Sequence, residues 1–196
     1  MNSITNLGPA TPGAARDTEA FVVLPQKAEL NDLAYEQGPQ RYLKQQNAKQ
    51  QKHQTGTLSR AFNDTLGVSL EAHVADWLGY DPFAIQYVFD TPPAIEDGDV
   101  GGLFEVKRAD RGTDVSIRYR TKENREHIII HGMVEHNGVD TMKGNIILLG
   151  WVYPVFDQKY AYNGGYDNQG RPMSYIKSSR RRTMASLMPL LRGEAA

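Results

Sequence analysis

The apolar residues of this chain turn from helical to strand-like spacing at residues 90–94 (Asp-Thr-Pro-Pro-Ala), and that switch limits the fold more than any other feature. Before it, Leu66, Leu70, Val74, Trp77 and Leu78 recur three and four positions apart, which predicts an amphipathic helix over residues 65–78 stopped by Gly79. Glu71 lies at the border of that apolar stripe and should be partly buried, with His73 and Asp76 further toward the polar side. Earlier still, residues 28–52 are mostly helix formers interrupted at Gly38 and Pro39, so one or two exposed helices are expected, the glutamine-rich stretch 45–54 being a solvated face. After the switch the texture is that of strands, over 101–109, 115–121, 127–134 and 145–152, separated by Gly, Asp and Asn turns. Residues 179–191 place Met184, Leu187, Met188 and Leu191 at helical spacing behind a run of arginines and predict a short final helix, with Pro189 limiting its length. Helices followed by strands make an α/β or α+β layer sandwich.

Residues 1–17, rich in Gly, Pro, Ala, Ser, Thr and Asn, cannot bury much and read as a flexible N-terminal arm; 18–196 then form a single domain, with a helical part over about 28–80 and a sheet part over about 95–196. With 40% hydrophobic residues, 196 positions supply one ordinary core. A net charge of -1 gives no overall attraction to nucleic acid, so any DNA surface must come from local clusters. The lack of cysteine excludes disulfides, thiolate zinc sites and thiol nucleophiles. The longest apolar runs fall far short of the roughly 20 residues of a membrane span, and the start lacks a secretory pattern, so a soluble cytoplasmic protein is expected.

The densest chemistry lies at 96–108, Glu-Asp-Gly-Asp-Val-Gly-Gly-Leu-Phe-Glu-Val-Lys-Arg. A strand there puts Leu103, Glu105 and Lys107 on one face and Phe104 and Val106 on the other, one armed and one apolar. Asp99 and Glu105 offer oxygen ligands suited to a hard cation such as Mg²⁺, with Mn²⁺ as a substitute, which binds through few carboxylates and keeps waters for substrate. Lys107 can orient an attacking water or stabilise a phosphoryl transition state, so the chemistry expected is phosphodiester hydrolysis. Asp97 is a rival to Asp99. On another reading, 97–99 is a turn and Glu105 and Lys107 form an exposed charge pair.

These residues resemble the motif of the PD-(D/E)XK nuclease superfamily: an Asp (Asp99), a short gap, then Glu-x-Lys (Glu105 and Lys107). The resemblance implies a restriction-endonuclease-like fold, a central mixed sheet flanked by helices, and a further acidic ligand from the preceding helix, whose matching position is Glu71. The helix with its Glu, the Asp-Val-Gly-Gly turn and the strand ending Gly150-Trp-Val also look like small phage-encoded members, over roughly residues 57–191. No Pro precedes Asp99 and the gap to Glu105 is short.

Arg118, Arg120 and Lys122 alternate along one predicted strand as a basic stripe, and Lys177, Arg180, Arg181 and Arg182 form a second cluster beside Tyr175; both suit a phosphate backbone. Arginines at a helix start oppose its dipole, which favours a functional reason for the second cluster. Tyr153, Phe156, Tyr160, Tyr162, Tyr166 and Tyr175 suit stacking on unpaired bases or packing of a Gly-rich loop. His127, His131 and His136 lack zinc-protease spacing and read as satisfied or surface histidines, while Trp77 and Trp151 read as core. The expectation is a Mg²⁺-dependent deoxyribonuclease, an exonuclease acting on single-stranded DNA, ends or flaps. The alternatives are a Holliday-junction resolvase or structure-specific endonuclease, a non-catalytic nucleic-acid-binding phage protein on the same scaffold, and a purely structural interaction protein.

Overall fold

The helical spacing before the switch builds two long helices, α1 (Ala28–Asn47) and α2 (Arg60–Leu78). They belong to a computed structural model that describes residues 21–47, 60–88, 99–109, 114–118, 127–137, 141–166 and 172–193, with backbone alone at 45–47, 60, 116–118 and 172. The predicted arm, residues 48–54 of the glutamine-rich stretch, Asp97, Arg120, Lys122 and the side chain of Arg118 lie outside the described residues.

Helix α2 starts five residues before the predicted point and is buried over most of its surface, Val68, Ala72 and Ala75 as well as Leu66, Leu70 and Val74. Leu30, Leu33 and Ala34 of α1 join the same core, so α2 lies between α1 and a sheet. His73, expected toward the polar side, is therefore buried. Its Nε2 accepts from the Lys27 backbone N–H at 3.0 Å and its Nδ1 lies 2.7 Å from the Ser69 carbonyl. The predicted break at Gly38 and Pro39 does not occur, because α1 runs through both. A Cβ at position 38 would fall 2.4 Å from Thr65, so the glycine there serves a close helix crossing rather than a helix end.

The main sheet has the order β1-β5-β4-β2, with β1 at Val22–Pro25, β2 at Phe104–Arg108, β4 at Ile128–His136 and β5 at Met142–Val152. β4 pairs parallel with β2 and antiparallel with β5, which makes the sheet mixed. Register and strand alternation put Phe104, Val106, Ile128, Ile130 and Trp151 on the helix-facing side, and Glu105, Lys107, Ile129, His131, Gly150 and Val152 on the other.

That second side carries a smaller antiparallel sheet, β3-β7-β6, of Val115–Arg118, Pro172–Ile176 and Tyr162–Tyr166. Val115 and Ile176 pack on Ile129 and Val152 in a cluster of their own. The architecture is a layered α+β arrangement: helices, mixed sheet, small sheet. Short α3 (Pro154–Asp157) follows β5, and α4 (Leu187–Leu191) closes the described chain. The short final helix expected over 179–191 is reduced to the five residues of α4, preceded by two 3₁₀ turns. Arg182 pairs with Trp151 through both backbone hydrogen bonds, holding that segment extended where the sequence placed a helix start. No helix among the described residues is long and apolar enough to cross a membrane.

Candidate metal centre

The Val100-Gly-Gly-Leu103 turn sets the position of Asp99. Gly101 and Gly102 adopt φ of 59° and 67°, which folds Val100 back to pair with Phe104 on the outer edge of β2. A side chain at 101 would strike the Tyr80 ring at 2.4 Å. Once the turn is made, Asp99 lies along the same edge and Oδ2 accepts from the Val106 N–H at 2.8 Å. The edge strand thereby gains a carboxylate on its open side.

Four further charged groups surround that carboxylate. On the face away from the helices, Glu105 and Lys107 form an ion pair of 2.5 Å, both side chains part-exposed at 28% and 18%. On the helix side, Glu71 is buried and receives Arg41 Nη1 at 2.8 and 2.9 Å on its two oxygens. Asp99 is within electrostatic reach of Glu71, Glu105, Lys107 and Arg41, and is the group that links the two sides of β2. Burial holds the Asp99 carboxyl above its ordinary range, against the hydrogen bond from Val106. Burial also pushes Glu71 up to about 7, opposed by Arg41 and assisted by Asp99. Arg41 is raised in turn, chiefly by Glu71.

Asp64, one helical stretch before Glu71 on α2, belongs to the same electrostatic group, and the sequence reading missed it. Burial raises it to about 6, and its Oδ2 is buried with no hydrogen-bond partner among the described residues. The spacing of seven from Asp64 to Glu71, two turns on one helix face, was the available signal. Among the described residues no three His, Asp or Glu side chains form a group that holds a metal ion outright. The donors nonetheless fit a hard cation: they are all carboxylate oxygens, they outnumber the cations facing them, and one oxygen is orphaned. A pair of ligands, Asp99 and Glu105, with water completing the shell, is the arrangement that Mg²⁺ accepts.

The predicted DNA-contacting cluster is divided by the fold. Lys177 is exposed, and Arg180 lies 4.5 Å above the Tyr160 ring. Arg182 is turned inward, ion-paired to buried Asp157 and stacked 4.9 Å over Trp151. Arg181 reaches His131, with Nη1 3.4 Å from Nδ1. Tyr175 lies against Gly164 and stacks on Tyr162 at 5.9 Å, while Tyr166 is 76% exposed. His127 and His131 are buried, and Trp151 is core, while Trp77 packs at its margin. Compared with known proteins, the chain matches no family model, no curated protein and no solved structure.

Proposed function

We propose that this protein is a metal-dependent DNA nuclease of the PD-(D/E)XK kind, on a restriction-endonuclease-like sheet, and that it acts as an exonuclease on single strands, ends or flaps. The observation that carries the reading is the gathering of Asp99, Glu105 and Lys107 at the open edge of β2, with Glu71 beneath. Asp99 and Glu105 would hold Mg²⁺ or Mn²⁺, and Glu71 would join them by letting go of Arg41. A bound cation supplies Lewis-acid polarisation of the phosphoryl group and an acidified water. Lys107, two residues from Glu105 on the same face, orients the attacking water and offsets charge on the phosphoryl oxygens. Lys177 and Arg180 contact backbone phosphates, and exposed Tyr166 with the Tyr162–Tyr175 stack offers faces to unpaired bases.

The test is digestion of end-labelled single-stranded and duplex DNA with Mg²⁺, Mn²⁺ or EDTA, comparing the parent with Glu105→Ala and Lys107→Ala. The expected result is progressive, metal-dependent loss of DNA that both variants abolish or reduce by about 10²-fold or more. A second reading, a DNA-binding protein that does not hydrolyse, rests on the occupation of both Glu71 oxygens by Arg41. Tight binding with no metal-dependent cleavage of any strand form would select it.

A further inference from the structure

Lys107, His131 and Gly150 stand in one row across β2, β4 and β5, on the face that also bears Glu105. Position 150 has no side chain, φ is 135°, and a Cβ there would lie 3.1 Å from the Arg181 Cβ and 2.6 Å from the Arg182 carbonyl oxygen. The row is therefore completed by a residue from outside the sheet, with Arg181 filling the place next to His131 that a larger residue at 150 would take. Arg181 is half-buried, its Nε donates to the Ser178 carbonyl at 3.2 Å, and it makes no ion pair among the described residues. Desolvation disfavours its charge, the Asp114 carboxylate only partly opposes this from outside the row, and nothing in the row itself offsets the cost.

His131 explains what the row is built to meet. A guanidinium only donates, so Nδ1 of His131 accepts from Arg181 and the proton sits on Nε2. Burial between Arg181 and Lys107 holds the imidazole neutral, with its pKa pushed down to about 3. The row thus holds donors from Arg181, from the Nε2 edge of His131 and from Lys107, against one acceptor, Glu105, whose backbone lies two residues or roughly 7 Å along the strand and whose carboxylate takes one Lys107 proton at 2.5 Å.

We propose that Arg181, His131 and Lys107 form a pocket for one phosphate group of a nucleic-acid strand, placed one nucleotide link from the bond that Glu105 and Asp99 address. This rests on the nuclease reading for its direction along the strand, but the pocket itself requires no catalysis. Arg181 gives the charge and planar donors, His131 an acceptor at Nδ1 that fixes Arg181 and a neutral donor at Nε2, and Lys107 the side nearest the carboxylates.

The test is made in EDTA, where no cleavage occurs. Inorganic phosphate at millimolar concentration is expected to raise the melting temperature of the parent protein above that in chloride of equal ionic strength, and Arg181→Met and His131→Gln are each expected to lose that rise. Labelled dT oligomers, with a 5′-phosphate or a 5′-hydroxyl, are then titrated by anisotropy across a salt series. Arg181→Met is expected to reduce the slope of log affinity against log salt by about one. Tighter binding of the phosphorylated oligomer alone places a terminal phosphate in the pocket; equal binding places an internal one. A phosphate shift no greater than chloride, or one retained in both variants, overturns the proposal. Because the assay needs no metal, absence of metal-dependent cleavage by the parent in the earlier digestion, with the phosphate effect intact, removes the nuclease and keeps the pocket.

Discussion

Adjacent arginines in this chain have opposite tasks, and single substitutions should separate them. Arg182 neutralises Asp157, which is 1% exposed and also accepts from the Tyr153 backbone N–H. Arg182→Ala is expected to cost about 3–5 kcal/mol by leaving that carboxylate buried and unpaired, read as a lower denaturant midpoint. Arg181→Ala should change the midpoint little while weakening DNA binding. Glu71 supplies a pH signature. Its folded value of about 7 lies above the ordinary 4.5, so its contribution to stability is complete below 4.5 and is lost as pH rises through 7. The Glu71→Gln variant should therefore gain on the parent between those pH values in parallel melts. Mg²⁺, which favours the ionised carboxylate, should raise the parent's melting temperature more at pH 8 than at pH 6. A metal effect independent of pH would remove Glu71 from the ligand set.

Among the elements, glycines decide how closely pieces approach. Gly38→Ala should push α1 from α2 at Thr65, costing about 1–3 kcal/mol, and move Arg41 away from Glu71. That displacement would appear as reduced stability together with an altered Mg²⁺ response. The same elements show what the sequence made legible. The helix of Leu66, Leu70 and Val74 and the strand of Glu105 and Lys107 could be read because each alternation is set by one buried face. The arginine segment could not: Met184 and Leu187 do bury, but a backbone pairing with Trp151 on a distant strand overrides the helical spacing around them. Gly38 and Pro39 misled for a related reason, since a residue that breaks a lone helix also permits a close crossing. Glu71 was legible as a border position; its grip by Arg41, thirty residues away, was not, because long-range ion pairs leave no periodicity.

For the molecule as a whole, a net charge of -1 leaves the proposed attraction to DNA to local clusters, which among the described residues are the Arg181 row and the exposed Lys177 beside half-buried Arg180. Binding should accordingly fall steeply with salt while depending on few positions. The small sheet rests on Val115, Ile129, Val152 and Ile176, against the much larger core shared by the helices and the mixed sheet. Amide hydrogen exchange should therefore be faster in β6 and β7 than in the centre of β4 and β5. Finally, the bond from the Val106 N–H to Asp99, with Val100 folded on Phe104, covers the outer rim of β2. An uncovered strand rim invites the same rim of another molecule, and so seeds aggregation. Asp99→Ala would lose the proposed metal ligand and the cover together, whereas Asp99→Asn keeps an acceptor for the Val106 N–H. Light scattering on warming should separate them, the Ala protein clouding first, because the carboxylate proposed for chemistry also shields this rim from other strands.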